Sequence, residues 1–585
     1  MFKASIDYIK ENAEKFPEKP SVRVEDNYIT YKELVGQVHV LSNHILDRGV
    51  LLQEYIVVYI DRSVDCIVSL LAVSNIGCIF VPIDPVHSEN RISYILNDVK
   101  PAIVLSTSAL ADKLDYPKHK ILCVDTLDFT QPDYTPVNVR ILPAYGMYLL
   151  YTSGTTGNPK GVLVNHGGVE NLLEEIKEEW PLEKNVLQFA SLGFDASLPE
   201  WSGTLAKGGT VVMIKNRKLT LGNELLKLVQ DQDIAFMKMP AAVLTTLNHE
   251  YPLPALETVV SAGDACNQDL VDRWGRNKEF YNCYGPTEGS IGTTRLQCFV
   301  GNDEVNIGKP AQNLYIYILD ESLNPVKEGE NGEIYIGGKG VSYGYLNRPD
   351  LTAEKFLPDP FNGVGTRMYK TGDLGSWLPD GNVAFKGRLD NQVKINGYRI
   401  ELEEIIKKIK EMPAVLEASV IPVFEEKLQY MIAFYQSKED TNLDEEIRKH
   451  LSKKLQDYSM PHKIQRIDKF ELTVNGKVNT KYLHENYKEL LEETSVDNEA
   501  VTVIVEEEDE FTKDLKAIWM NILKVDSIQN DSNFFDMGAT SLDAAILMGE
   551  IEGKFEVAPS VLDLYENATF GSFKKFLEKF INVFN

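Results

Sequence analysis

A chain of 585 residues is too long for one core and predicts three or four domains, and its 43% hydrophobic and 10% aromatic content is that of a globular protein with large interiors. A formal net charge of -27 excludes a surface built for nucleic acid or anionic membrane, since both need clustered Lys and Arg. Six scattered cysteines without a C-x-x-C pair, nine histidines without ligand spacing and no apolar run of membrane-spanning length predict free thiols in a soluble cytoplasmic protein.

Residues 1–50 read as helical segments around a short hairpin, with Ile29-Thr30-Tyr31 alternating like a strand before Lys32-Glu33-Leu34 opens a helix. From 55 to 125 strands (55–60, 79–83, 102–106, 120–124) alternate with helical periodicity (65–76, 88–97), which predicts a parallel sheet covered by helices. Met147-Tyr148-Leu149-Leu150 and Val162-Leu163-Val164 read as two strands joined by a loop of hydroxyls and glycines. In that loop Thr152, Ser153, Gly154, Thr155, Thr156 and Gly157 offer hydroxyl and backbone donors to an anion, and Lys160 adds a charge. The Walker A spacing is absent, so the alternatives are another kind of phosphate loop or a solvated turn. Residues 186–275 repeat the strand–helix theme without a sequence repeat. Residues 305–388 shorten into strands with Gly/Asn/Asp turns, a compact β subdomain. A small α+β unit over 390–486 precedes an acidic linker (487–510), and amphipathic helices at 511–523, 541–554 and 570–580 form a small bundle.

Several loops carry chemistry. In Asn282-Cys283-Tyr284-Gly285-Pro286-Thr287-Glu288 the Gly-Pro turn leaves Tyr284 to stack on a flat ligand, Thr287 to donate to phosphate and Glu288 to hold a divalent cation. Asp373, just after Gly372, can accept from the two hydroxyls of a ribose or close an Asx turn. Arg388 and Asp390 sit at the junction of the β subdomain and the α+β unit, a natural hinge. Lys477 is a surface lysine unless that hinge brings it to a nucleotide. Ser541 opens an amphipathic helix and is either a helix cap or the attachment point of a phosphopantetheine arm.

With these residues assembled, the chain resembles the adenylate-forming enzymes, specifically a nonribosomal peptide synthetase adenylation domain followed by its peptidyl carrier domain. Eleven stretches carry the resemblance in order: 29–34, 77–84, 149–161, 194–197, 282–288, 332–346, 369–374, 387–404, 455–461, 475–477 and 534–542. The resemblance implies an α/β fold with an adenylation core of two βα layered subdomains and a β subdomain (1–389), and a mobile C-terminal subdomain (390–486). The linker and a four-helix carrier (511–585) follow. It implies ATP, Mg2+ and 4′-phosphopantetheine, and two half-reactions that form an aminoacyl-adenylate and then a thioester on Ser541. By the same resemblance the Thr152–Gly157 stretch and Lys160 contact the β- and γ-phosphates, Asn282 and Tyr284 the adenine, Thr287 the α-phosphate, Glu288 the magnesium, and Asp373 and Arg388 the ribose. Lys477 serves the first step and Asp390 is the pivot.

The resemblance also assigns an amino-acid pocket to Asp195, Ala196, Pro199, Lys238, Val260, Ala262, Cys283, Ile291 and Gly292, with Asp195 pairing with the α-ammonium. Lys238, expected to be buried and to need a partner, predicts a substrate side chain such as aspartate or asparagine; an aromatic side chain is the rival. The carrier has Gly538-Ala539-Thr540-Ser541 where Gly-Gly-His-Ser is commoner, and Leu483-His484-Glu485-Asn486 stands where Leu-Pro-x-Pro is usual. The expected partners are the amino acid, a phosphopantetheinyl transferase and, because no condensation, epimerisation, reductase or thioesterase segment is recognised, a downstream synthetase module or tailoring enzyme; the acidic charge predicts no nucleic acid and no membrane. A loading or stand-alone module in antibiotic biosynthesis fits best. An acyl- or aryl-CoA ligase and a non-catalytic carrier scaffold are the alternatives.

Overall fold

Apolar runs punctuated by glycine and proline become the strands of two large mixed sheets. The computed structural model describes the chain except residues 1, 26, 130–134, 153–158, 215–221, 302–304, 391, 396, 425–428, 439–440, 472–477, 493–508, 526, 536, 538, 540, 556, 558, 560 and 585. One sheet has seven strands in the order Gly344–Tyr345, Lys160–Asn165, Gly146–Thr152, Ile79–Pro82, Tyr55–Tyr59, Ile103–Ser106, Ile121–Cys123. Its interior pairs are parallel, as the strand–helix alternation predicts. The edge is not: Lys160–Asn165 returns antiparallel on Gly146–Thr152, because the connection between them is far too short for a parallel crossover.

The second sheet has nine strands, from Lys309–Pro310 and Thr294–Cys298 through Glu279–Tyr284, Thr258–Ala262, Phe236–Met239, Asn185–Gln188 and Thr210–Met213 to the N-terminal hairpin Pro20–Val24/Asn27–Thr30. That hairpin pairs in parallel with Thr210–Met213, a partner far along the chain. The helix that follows it, Tyr31–Leu46, starts with a capping box: Glu33 N–H donates to Thr30 Oγ1 (3.2 Å) and Thr30 N–H to Glu33 Oε2 (2.7 Å). The two sheets share one interior, since the Phe80 ring lies 5.8 Å from Tyr148 on its own sheet and 6.3 Å from Trp201 of the second subdomain.

The β subdomain orders Leu314–Leu319, Gly332–Gly338, Arg367–Trp377 and Phe356–Pro358, with Val383–Arg388 also paired to Arg367–Trp377. The small C-terminal subdomain has a hairpin, Gln392–Ile395/Tyr398–Glu401, and a three-stranded sheet in which Lys463–Arg466 adds in parallel to Gln429–Ser437. The helix Thr480–Glu492 crosses the boundary expected at 486. The carrier is four helices, Glu510–Leu523, Ser541–Phe555, Val561–Glu566 and Phe570–Phe584. Its core is built on Trp519, with Phe534 and Phe570 rings at 5.0 and 5.3 Å. Helix Ser541–Phe555 packs against the core helices Gly222–Asp231 and Ala241–Thr246. Among the described residues no helix is long and apolar enough to cross a membrane.

Candidate active site between the core and the small subdomain

The strands Gly146–Thr152 and Lys160–Asn165 flank the stretch of hydroxyls and glycines. Thr152 and Lys160 face each other across the ladder, and the loop residues Ser153, Gly154, Thr155, Thr156 and Gly157 lie outside the described residues. Thr152 Oγ1 is buried with no hydrogen-bond partner among the described residues, a donor left available to a ligand. Lys160 points inward. Its Nζ lies 3.3 Å from Glu288 Oε1 and donates to the Tyr345 hydroxyl at 3.2 Å.

Glu288 is 0% exposed and is the centre of this cluster. Tyr345 Oη donates to Oε1 at 2.7 Å, and Arg399 Nη1 lies 3.2 Å from Oε2. Burial alone would raise this carboxyl, but Arg399 and Lys160 outweigh it and hold the group well below the usual carboxylate range. Burial pushes Lys160 down to about 8 against the pull of Glu288. The turn that carries Glu288 is tight because Gly285 has no side chain: a Cβ there would sit 2.2 Å from Ile291 O and 2.7 Å from Thr293 N. Closing the turn forces Ser290 (φ 59°) and Ile291 (φ 78°) into the left-handed region, a strained backbone for a β-branched residue at the wall of the expected pocket.

The expected ribose group also assembles. Asp373 accepts hydrogen bonds from Tyr284 Oη and Arg388, and Arg388 reaches on to Asp390 with Nε–Oδ1 at 2.7 Å and Nη2–Oδ2 at 2.8 Å. This bidentate pair ties the expected pivot directly to the nucleotide side of the site. Burial favours the neutral Asp390 carboxyl, but Arg388 holds it below its ordinary value. Asn282 differs from expectation in one respect: its side-chain amide is buried in the chain and donates to Asn306 O at 2.9 Å.

In the pocket region Asp195 Oδ2 is buried without a hydrogen-bond partner among the described residues; burial pushes the carboxyl up, and Thr287 and Lys238 pull it back. Lys238 is buried on its strand and donates to the Ala196 carbonyl. Burial lowers the lysine, and Glu200, Cys283 and Asp195 pull it back up. The partner that Lys238 needs is therefore supplied within the chain, which removes the ground for requiring an acidic substrate side chain. Glu200 was not foreseen. It is buried, and its Oε2 accepts from Gln188 Nε2 (3.1 Å), Phe189 N–H (3.1 Å) and Ala190 N–H (3.0 Å), while Oε1 has no partner among the described residues. Ala196, Pro199, Val260, Ala262, Ile291 and Gly292 add no ionisable side chain. Burial pushes the Cys283 thiol up to about 11, so it is neutral at pH 7.

Arg399 is the second residue that sequence reasoning passed over, although it lies within the 387–404 stretch. The hairpin Gln392–Ile395/Tyr398–Glu401 inserts it from the small subdomain. Gly397 (φ 81°) makes the turn against Pro240, whose Cγ would lie 2.5 Å from any Cβ. Next to it Tyr398 stacks on Tyr458 (4.2 Å, 5°) and meets Phe194 edge-on at 5.9 Å, beside Asp195. Lys477 lies outside the described residues, as do the side chain of Ser541 and the residues Asp536, Gly538 and Thr540 before it.

The donor set fits the implied groups. A single buried carboxylate kept ionised suits Mg2+, which takes one or two carboxylates and leaves its other positions to phosphate and water. No cluster of three metal-ligating side chains occurs among the described residues, which excludes an all-protein metal cage there. With the small subdomain in this position Arg399 and Lys160 hold Glu288.

Comparison with known proteins agrees with this layout. The AMP-binding enzyme model matches residues 9–346, the AMP-binding enzyme C-terminal domain 401–477, and the phosphopantetheine attachment site 513–577. Bacitracin synthase 3 of Bacillus licheniformis is 35% identical over 577 residues, 97% of this chain and 9% of that protein. Tyrocidine synthase 1 of Brevibacillus parabrevis is 33% identical over 544 residues, 92% of this chain and 49% of that protein. The chain thus spans about a tenth of the length of the first of these relatives and about half of the second. A solved holo nonribosomal peptide synthetase protein containing adenylation and PCP domains superposes with a TM-score of 0.83 at 22% identity, covering 99% of this chain and 97% of that one. The chain belongs to the AMP-binding enzymes, as an adenylation domain fused to a phosphopantetheine-bearing carrier domain.

Proposed function

We propose that this protein activates an α-amino acid with ATP as the aminoacyl-adenylate and transfers it to the phosphopantetheine thiol on Ser541, as part of nonribosomal peptide synthesis. The observation that carries the reading is the Glu288 cluster, where one ionised carboxylate meets Lys160 of the core and Arg399 of the small subdomain, with Asp195 in a turn and Asp373 on the strand Arg367–Trp377. Asp195 Oδ2, buried and without a partner among the described residues, takes the α-ammonium. Asp373 and Arg388 orient the ribose, and Lys160 with Thr152 holds the departing phosphates.

Mg2+ on Glu288 supplies neutralisation of phosphate charge when bound. A carboxylate oxygen of the amino acid forms its bond to the α-phosphorus as the bond to the pyrophosphate oxygen breaks. In the second step the sulfur bonds the acyl carbon and the acyl–oxygen bond to AMP breaks. Lys477 serves the first of these steps, and the pivot at Asp390 then exchanges it for the Arg399 hairpin. The arrangement with Arg399 inserted at Glu288 corresponds to the second.

Charge counting narrows the substrate. Lys238 already has Ala196 O, Glu200 and Asp195 about it, and the α-ammonium is a further partner for Asp195, so the pocket does not call for an acidic side chain. The side chain is uncharged, asparagine or an aromatic residue being the candidates from the lining. The partners are a phosphopantetheinyl transferase and a downstream synthetase module or tailoring enzyme.

Pyrophosphate exchange with each of the twenty standard amino acids tests the reading, paired with loading of the holo protein and of Ser541→Ala. Exchange with uncharged residues and loading that disappears in Ser541→Ala are expected. Exchange driven best by aspartate or glutamate refutes the substrate class, and loading retained in Ser541→Ala refutes the attachment site. Exchange unchanged in Lys477→Ala removes that lysine from the first step.

A further inference from the structure

Among the described residues the carrier touches the small subdomain through a buried pair of ionisable side chains. Asp543 lies in the first turn of helix Ser541–Phe555, two residues after the attachment serine, and its Oδ2 is 3.1 Å from His462 Nε2. The two side chains are 2% and 5% exposed, although they belong to separately folded units 81 residues apart. His462 is held on rigid backbone: its N–H donates to Met431 O (2.9 Å) and its carbonyl accepts from Arg448 Nη2 (2.9 Å). The Tyr430 ring lies 5.7 Å from the imidazole, and Lys524 of the carrier sits 5.3 Å above that ring. At the other end of the same carrier helix Glu552 Oε2 accepts from Asn223 Nδ2 of the core at 3.1 Å. The helix that bears Ser541 is therefore fastened at its start to the small subdomain and near its end to the core.

We propose that His462 is a positioning residue for the second half-reaction, which recognises Asp543 and admits only a carrier with an acceptor at that place in its first helical turn. The inference rests on the function proposed above. A carboxylate and an imidazole leave water at this contact, and that is tolerable only when each finds the other. A carrier with an apolar side chain there would leave His462 Nε2 buried without an acceptor, and one with a lysine would set a cation against a donor. Both are rejected by the unpaired group they strand, not by lost attraction alone. Because Asp543 is in the same helical turn as the attachment site, the pair also fixes where the arm starts. It takes no part in adenylation, since neither residue touches the Glu288, Asp373 or Asp195 groups.

The test uses the full chain, converted to the holo form with a phosphopantetheinyl transferase, and the amino acid of the twenty that gives the fastest pyrophosphate exchange. His462→Ala, Asp543→Ala, the double alanine variant and the exchanged pair His462→Asp/Asp543→His are compared in exchange and in single-turnover loading. Exchange within twofold of the parent is expected throughout, and retained mass increase on modification shows that each carrier folds. Loading falls at least tenfold in either single variant, falls no further in the double alanine variant, and recovers most of the loss in the exchanged pair. Loading within threefold of the parent in the single variants overturns the proposal. So do losses that multiply in the double variant, exchange that falls together with loading, and an exchanged pair that stays as slow as the singles. Absence of amino-acid-dependent exchange in the parent overturns the enzymatic reading itself and this inference with it.

Discussion

Lys238→Met removes a buried cation while nearly conserving its volume, and so isolates what the charge does. In the parent the ammonium donates to Ala196 O and balances Glu200 and Asp195. Burial pushes Glu200 up to about 7 from an ordinary 4.5, against the pull of Lys238 and the Ala190 N–H. The native state therefore binds this proton more tightly than the unfolded chain does. The resulting stabilisation is complete below pH 4.5 and is lost as pH rises through 7. A change from 4.5 to about 7 corresponds to about 3 kcal/mol, at about 1.4 kcal/mol per pH unit. Without Lys238 the carboxyl rises further, and the window of loss extends above pH 7. Stripping one partner from a buried pair costs about 3–5 kcal/mol while the survivor stays charged. At pH 6 Glu200 is already largely protonated in the parent, so the loss is expected to be smaller there than at pH 8, by up to about 1.4 kcal/mol, the equivalent of one pH unit for one proton. Urea unfolding followed by tryptophan fluorescence, with Trp201 adjacent to Glu200 as a buried reporter, measures both. An equal loss at the two pH values, or a larger one at pH 6, refutes the reasoning. Adding Glu200→Gln should flatten the difference. In exchange assays the variant should raise KM by a similar factor for every amino acid; a loss confined to asparagine or aspartate would make Lys238 a substrate ligand after all.

Three further outcomes are expected. Glu288→Gln leaves Lys160 and Arg399 buried against a neutral amide, which costs about 3–5 kcal/mol of stability by denaturation and slows exchange about a hundredfold or more. Lys160, lowered to about 8 by burial against Glu288, loses its proton as pH rises through 8, so kcat/KM for ATP should fall there and the fall should vanish in Lys160→Arg. Arg399→Ala removes one buried charge-assisted contact of about 1.5–3 kcal/mol, so loading should slow about 10- to 100-fold in stopped-flow quench while exchange is not reduced; equal losses in both would place Arg399 in the first step instead.

What was legible in the sequence is what local chemistry writes locally. The β/α alternation of 55–125 located its strands to within a residue or two of the ladders found, Lys32-Glu33-Leu34 marked the start of a helix, and Met147–Val164 read correctly as a hairpin around a loop. The order of the short motifs pointed to the family, because glycines, hydroxyls and acids at set places are required by the chemistry itself. Helical periodicity gave three of the carrier's helices; the short one, Val561–Glu566, carries too few turns to show a period, and this fourth helix was implied by the resemblance alone.

The rest depended on partners that no window of sequence contains. The hairpin Pro20–Val24/Asn27–Thr30 is locally complete, and only hydrogen bonding to Thr210–Met213 makes it the edge of the nine-stranded sheet. Arg399 looks like any strand residue until its hairpin, turning at Gly397, delivers it to Glu288 in another domain. Lys238 shows the division most sharply. Its sequence context says only that a lysine is buried and must be paired; whether the pairing group belongs to the substrate or to the chain depends on where Ala196 and Glu200 come to lie. A buried charge is satisfied by whatever is nearest in space, and nearness in space is what tertiary structure alone decides.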